Sequence, residues 1–258
     1  MNIVVCLKIT PDPEDLQVGR DGSISTERAE WTIGSFDLPA LEAGVRLVET
    51  HGGKVIALCA GPAEINQSKI KKDILSRGAD ELYTIVDESL RQAGTARTAA
   101  VLAAAVQKLG DVDLLLFGEG SADLYFQQTG VQVGERLGWV TLNAVSRIEV
   151  QANGMLTVQR TLEQEIELLD AALPAAISVT SDIHEPRLAS MREILKAGRK
   201  PMFEWTLADL GAADLPETIE ILKVEAPPRV ARKQVMIEGS PEEAAKALLS
   251  HLRKEGVL

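Results

Sequence analysis

One segment of this sequence has residue types and spacing suited to holding a ligand: Gly118-Glu-Gly-Ser-Ala-Asp-Leu-Tyr-Phe-Gln-Gln-Thr-Gly130. Glycines and a serine let the backbone approach a bound group closely. Thr129 and the first N–H groups of a following helix can donate to a phosphate. An ordinary strand-to-helix turn uses the same residue types, so the residues alone leave both readings open. The segment is not a Walker loop, because no Gly-Lys-Ser/Thr closes it, and it is not G-x-G-x-x-G. No other set of side chains points to chemistry. Cys6 and Cys59, the only cysteines, sit in apolar runs and read as buried small hydrophobes. His51, His184 and His251 lie far apart and show no zinc-ligand spacing. No Ser/His/Asp, paired-carboxylate or Cys/His set suggests acid–base or nucleophilic work by the chain itself.

Composition narrows the partners. The chain has 258 residues, a formal net charge of −11 and only 3% aromatic residues. A nucleic-acid binder needs clustered Lys and Arg for phosphates and aromatic rings for bases, so nucleic acid is not the expected partner. The opening Met-Asn-Ile-Val-Val-Cys-Leu-Lys is too short and too soon charged for a signal peptide, and no apolar run reaches membrane-spanning length. A soluble protein without membrane insertion is expected. The cytoplasm of a bacterium or archaeon is the first reading of its location, with the mitochondrial matrix left open.

The elements that must position the segment follow from periodicity. Short β-branched runs at 3–7, 54–58, 82–86 and 114–117 alternate with helical stretches at 37–51, 64–77, 95–109 and 127–137. In the third helix Ala99, Leu102, Ala103, Val106 and Leu109 recur at three- and four-residue steps. Strand, helix, strand at this spacing predicts right-handed βαβ units and a parallel sheet covered on both faces. Ligands in such sheets bind outside the carboxyl ends of the strands, so 8–12, 59–62 and 118–129 are candidate site segments. Runs at 145–150, 156–160 and 166–169 read as antiparallel strands, with Asn153-Gly154 as the hairpin turn, and 173–179 as a further buried strand. The predicted fold class is α/β: a twisted parallel sheet flanked by helices, with a small antiparallel addition. Residues 182–201 form a loop with a short helix and a basic cluster, Arg187, Arg192, Lys196, Arg199 and Lys200. Residues 203–233, with Pro227-Pro228, read as an extended arm. It ends in an amphipathic helix opened by Ser240-Pro241-Glu242-Glu243. The division expected is an α/β domain at 1–201 and an arm at 202–258.

The chain resembles the beta (small) subunit of electron transfer flavoproteins. The resemblance rests on Ile3-Val-Val-Cys-Leu-Lys-Ile-Thr-Pro-Asp12, Ala40-Leu-Glu-Ala-Gly-Val-Arg-Leu47, Cys59-Ala-Gly-Pro62 and Ser76-Arg-Gly-Ala-Asp80. It extends to the nucleotide loop, with Ser121, Asp123 and Gln128-Thr129-Gly130, and to His184-Glu-Pro-Arg-Leu-Ala-Ser-Met191 followed by Ile194-Leu-Lys-Ala197. The chain departs from the family pattern at Gly34-Ser35, where the family has Asn-Pro, at the apolar Leu124-Tyr-Phe126, and at Gln164-Glu165, where the family has Gly-Gly. These departures mark a divergent member.

The resemblance implies an adenine-nucleotide-binding, Rossmann-like fold paired with a larger alpha subunit that holds most of the redox-active FAD. The beta subunit holds AMP, or a second FAD in electron-bifurcating members. Cys6, Leu7, Lys8, Ala60 and Gly61 would flank adenine and ribose, and Gly118, Ser121, Asp123, Gln127, Gln128 and Thr129 would line the phosphate loop. Thr95 and Thr98 match threonines that lie near the second flavin in bifurcating members; Thr95 as a plain helix cap is the competing reading. Arg97 adds a cation that would favour a phosphate or an anionic flavin. The arm would reach over the alpha subunit. The 182–201 segment would be the recognition loop for an acyl-CoA dehydrogenase-type flavoenzyme, with Met191 as its apolar anchor and Arg187, Arg192 and Lys196 beside it. A stand-alone nucleotide-binding sensor of the universal-stress type is the rival; it gives no reason for the basic loop or the arm. An adenylating enzyme lacks its Ser-Gly-Gly-x-Asp motif here.

Overall fold

The computed structural model describes residues 1–227 and 233–258. Pro228 of the Pro227-Pro228 pair, and residues 229–232 of the expected arm, lie outside the described residues. In chain order the elements begin with β1 (Asn2–Cys6), the short pairs β2 (Ile9–Pro11) with β5 (Trp31–Ile33) and β3 (Gln17–Val18) with β4 (Ile24–Ser25), and α1 (Asp37–His51). Then come β6 (Lys54–Gly61), α2 (Ser68–Ser76), β7 (Glu81–Val86), α3 (Thr95–Leu109), β8 (Leu114–Gly118) and α4 (Thr129–Leu137). The chain continues through β9 (Val140–Val150), β10 (Leu156–Thr161), β11 (Ile166–Ala171), β12 (Ala175–Val179), α5 (Met191–Ala197), β13 (Met202–Trp205) and α6 (Pro241–Lys254).

Nine strands form one sheet in the order β11-β10-β9-β12-β8-β1-β6-β7-β13. The run from β9 to β13 is parallel throughout, and β10 and β11 add antiparallel strands at one edge. The hairpin between β9 and β10 turns at Asn153-Gly154, where Gly154 takes φ 83° and the Asn153 side chain accepts from the Met155 N–H. The chain leaves β1 on one side for β6 and β7, then returns to its other side with β8. That reversal puts the topological switch point between the carboxyl ends of β1 and β8, where open α/β sheets bind ligands.

Both faces of the sheet are buried. Ile3, Val5, Ala57, Leu114, Leu116 and Ile177 pack under α1 and α2; Val4, Ile56, Leu58, Leu115 and Ala176 pack under α3 and α4. Near-continuous apolar strands are what two covered faces demand. Small residues set the distance between helices and sheet. A Cβ on Gly134 of α4 would collide with the Thr141 Oγ1, so any larger residue there would force α4 and the β9 side chain apart.

Several elements differ from the sequence reading. The stretch 64–77 is divided: a 3-10 turn at Ala63–Asn66 ends at Gln67, which is extended, and α2 starts only at Ser68. α4 begins at Thr129 rather than 127, because Gln127 takes φ 57°. The arm also starts later than residue 202. Met202–Trp205 is the ninth strand, its Phe203 and Trp205 packing on Tyr83 with ring centroids 4.6 and 4.7 Å apart. Leu207 and Ala212 are buried in the core beyond it. Past Leu215 the chain is largely exposed. It touches the body through Glu217, whose carboxylate accepts from the Gly94 N–H at 2.9 Å, and through Ala226, whose N–H donates to the Gly22 carbonyl at 2.9 Å.

Candidate nucleotide site at the strand tips

The carboxyl edges of β6, β1 and β8 gather most of the residues singled out in the sequence. Cys6 and Leu7 close β1 and are buried, while Lys8 emerges into solvent. Ala60 and Gly61 close β6 beside them, and the Gly61 carbonyl accepts from the Asp87 N–H at 3.0 Å. Gly118 closes β8. Its backbone is pressed against α1: an added Cβ would lie 2.4 Å from the Phe36 carbonyl oxygen and 2.7 Å from Asp37 Oδ1. Since backbone is in the way, Gly118→Ala is expected to cost about 3 kcal/mol, the upper end of overpacking costs, read from urea unfolding.

The loop after β8 is fastened to β1. Lys8 Nζ lies 2.6 and 2.7 Å from the two oxygens of Asp123. Burial works against the Asp123 carboxylate, but the Lys8 charge and hydrogen bonds outweigh it and hold its pKa below the ordinary value. The pair spans the switch point, joining a residue expected beside adenine and ribose to one expected in the phosphate loop. Leu124, Tyr125 and Phe126 are exposed, with Tyr125 turned back over Gly120 and its ring 5.0 Å from Phe36. Ser121 is half-buried at the start of this turn, and Gln127 is exposed at its end.

α4 starts at this loop with open donors. Its N-cap residue, Gln128, makes no side-chain cap bond, and Thr129 is half-buried at the first helical position. A helix start left this way presents N–H groups to an anion. Thr95 is not the cap of α3; that position belongs to Gly94. The Thr95 hydroxyl instead meets Gln128 Oε1 at 3.0 Å and Gln132 Nε2 at 3.3 Å, which ties the starts of α3 and α4 together. Thr98 is half-buried further along α3. The Arg97 guanidinium is committed to Ser89, donating to its hydroxyl at 2.8 Å and its carbonyl at 3.3 Å.

Cys6 and Cys59 are buried, and burial pushes both thiols far above the ordinary range. They are core residues with the nucleophile suppressed. Among the described residues no group of three or more His, Cys, Asp or Glu could hold a metal ion. No helix among them is long and apolar enough to cross a membrane.

The basic segment is arranged differently from a free cationic patch. Arg187 is consumed within the chain: its guanidinium meets Glu42 at 2.7 Å and Glu49 at 2.7 Å on α1. Glu42 is only 4% exposed, and bonds from Arg187 and Arg46 outweigh its burial and hold its pKa low. Lys200 donates to the Leu75 and Ala79 carbonyls where α2 ends. Lys196 pairs with Glu193 at 2.8 Å, while Arg192 is exposed. Met191 opens α5 at 74% exposure, flanked by exposed Leu188 and Leu195. Arg187 and Lys200 therefore anchor the loop, and the outward surface carries an apolar tip with Arg192 and Lys196 beside it.

Two residues of this edge were missed in the sequence. Phe36 and Asp37 lie between Gly118 and Lys8, and Asp37 accepts hydrogen bonds from both of their backbone N–H groups. The available signal was an acidic residue at the very start of the first helix, after a turn that departs from the family pattern.

A mostly parallel, doubly covered sheet with a ligand-type loop at its switch point defines a Rossmann-like α/β protein. The sequence pattern of the electron transfer flavoprotein domain matches residues 21–210. That span runs from β4 through β13 and takes in every strand of the large sheet except β1, and the chain belongs to the electron transfer flavoprotein family. The family is one of electron transport by flavoproteins, and the match does not favour the stand-alone sensor reading.

Proposed function

We propose that this chain is the beta (small) subunit of a heterodimeric electron transfer flavoprotein. It holds an adenine nucleotide at its strand tips and passes electrons between an acyl-CoA dehydrogenase-type flavoenzyme and a second redox partner, in an aqueous compartment such as the bacterial cytoplasm. The observation that carries this reading is the switch-point edge. There a glycine with no room for a side chain, a lysine and a helix start with open N–H donors face one loop, within a chain of this family. These residues fit an adenylate. The α4 N–H groups from Thr129 onward, with Ser121 and Gln128, would hold phosphate. Lys8 would exchange Asp123 for a phosphate oxygen, and the ends of β1 and β6 at Cys6–Leu7 and Ala60–Gly61 would flank adenine and ribose. Gly118 would give the close approach that the loop needs, and Gln127 would close its far side.

The redox chemistry belongs to the flavin when it is bound; the protein's share is orientation, electrostatics and docking. Most of the FAD would be held by the larger alpha subunit. AMP is the leading occupant here, because the loop is altered; a second FAD near Thr95 and Thr98 is the other. Denaturing the purified complex and identifying the released nucleotides decides between them. One FAD with one AMP per pair supports the ordinary type, and two FAD per pair the bifurcating type. A colourless homodimer that releases ATP would refute the reading.

The apolar tip of the recognition loop would dock the dehydrogenase. Met191 is flexible and polarizable, rigidly carried by a loop that Arg187 and Lys200 pin to the body. Met191→Glu is expected to leave urea unfolding within about 0.5 kcal/mol of wild type, as for other exposed positions. It should reduce the rate of electron exchange with the partner dehydrogenase at least tenfold, as loss of an apolar anchor does. Stopped-flow flavin reduction reads this directly. Arg192 and Lys196, on the outer side, would steer an acidic partner, so Arg192→Glu should slow association most at low salt.

A further inference from the structure

We infer that Asp37 is the positioning residue of the strand-tip site: its single buried carboxyl ties the end of β1 to the end of β8 across the switch point and so fixes the backbone that faces the ligand. The inference rests on the nucleotide reading above and names the group that holds that site in shape. Asp37 is 5% exposed. Its Oδ2 accepts from the Lys8 N–H at 2.7 Å, and its Oδ1 accepts from the Gly118 N–H at 3.3 Å. The turn before it is laced to the same strand end. The Gly34 N–H donates to the Lys8 carbonyl at 2.8 Å, and the Asp37 N–H donates to the Gly34 carbonyl at 2.9 Å.

Space around the carboxyl is tight. An added Cβ on Gly34 would fall 2.9 Å from Asp37 Oδ2, and one on Gly118 would fall 2.7 Å from Oδ1. A group this enclosed cannot shift without moving both strand ends. No side-chain cation bonds to it among the described residues, because the Lys8 ammonium is directed to Asp123 instead. A buried acid without a cation is costly unless its oxygens are hydrogen-bonded. Here it accepts from two backbone donors at once, with a different oxygen for each.

The charged and titratable groups around it are Lys8 at the end of β1, Asp123 on the loop after β8, Cys6 on β1 and Cys59 on β6. Burial raises the Asp37 pKa to about 7, against the two N–H bonds and the Lys8 charge. A raised acid pKa means that the folded chain binds more protons than the unfolded chain between the ordinary aspartate range and pH 7. Stability therefore falls as pH rises through that window, while the ionised form makes the stronger pair of N–H bonds.

The test uses the full chain. Asp37→Asn keeps the shape and removes the charge; its amide has one acceptor oxygen and must point an NH2 at the second donor. Asp37→Ala removes both ties. Amide hydrogen exchange, read by NMR, should accelerate at least tenfold at Lys8 and Gly118 in both variants and stay unchanged at Val5 and Leu116 inside the sheet. Affinity for AMP, titrated by calorimetry, should fall at least tenfold, and the part of the fall in wild-type melting temperature that Asp37 causes between about pH 4 and 7 should vanish in Asp37→Asn. If Asp37→Ala does not fold, Asp37→Asn and the wild-type pH series still decide. Wild-type exchange at Lys8 and Gly118 in Asp37→Asn overturns the tie. Faster exchange with unchanged AMP affinity overturns the positioning role. A wild-type chain that binds neither AMP nor FAD overturns the functional reading and the site assignment with it, and the exchange data then distinguish this from loss of the tie.

Discussion

Replacing Arg187 with alanine is expected to lower the stability of the chain by about 2–4 kcal/mol and to free the recognition loop. The guanidinium reaches from the loop to α1, where it meets the buried Glu42 and the exposed Glu49. Removing one partner of a buried ion pair leaves the other charge stranded, which costs about 3–5 kcal/mol when nothing else compensates. Arg46 remains bonded to Glu42 at 2.6 Å, so the loss should fall somewhat short of that. Arg187→Lys should recover little, because one ammonium cannot reach both carboxylates as a planar fork does.

The pH dependence has a definite sign. Glu42 and Glu49 both have folded-state pKa values held below the ordinary glutamate value, so the stabilisation is present above the glutamate range and is lost as pH falls through the folded values. The gap between wild type and Arg187→Ala should be widest at neutral pH and should close below about pH 4. Urea unfolding at the two pH values measures it. Equal midpoints at neutral pH would mean that the buried pair contributes nothing. Limited proteolysis should cut the 182–201 segment of the variant first, since the ties left near residue 187 are its backbone N–H bond to Glu42 and the Arg77 bond to its carbonyl, while the buried Ala197 and the Lys200 bonds hold only the far end.

This role for Arg187 shows where sequence reading stops. The basic cluster was visible as composition, and a docking surface was a fair inference from five cations on an acidic chain. Which cations face outward depends on Glu42 and Glu49, more than a hundred positions away, and on one face of α1 being turned toward the loop. The same limit applies to β13. Met202–Trp205 is four residues long and becomes a strand because Tyr83 offers Phe203 and Trp205 an aromatic surface across the sheet edge. Nothing local requires that. By contrast, β1, β6 and β8 are apolar after their first residues, so burial on two faces was written into their composition, and the switch point followed from topology. At the site, the loop after β8 was legible as glycines and small polar residues before a helix. Asp37 was not, because a carboxylate that opens a helix ordinarily serves that helix; here it serves two strands.

The largest functional effect is expected at α6, through Leu248→Glu combined with Leu249→Glu. The helix is well specified locally: Ser240 and Glu243 form a reciprocal capping box, acidic residues occupy the first turn, and His251, Arg253 and Lys254 the last. Yet no residue of α6 is buried, and Leu248 and Leu249 are 49% and 40% exposed. A helix of 14 residues is marginal in water without a packed face, so local signals this strong on an unburied helix point to a face completed by another chain. If the larger flavin-holding subunit covers it, burying two leucines contributes about 1.5–3 kcal/mol each. Their loss should weaken pairing by about two to four powers of ten. The isolated chain should be little affected, with unfolding within about 0.5 kcal/mol of wild type, because both side chains are exposed on a helix with no buried residue. Co-purification of the two subunits and sedimentation velocity read the pairing, and urea unfolding reads the fold. A variant that pairs normally but unfolds early would place this face on the chain's own body and remove the arm from the subunit interface.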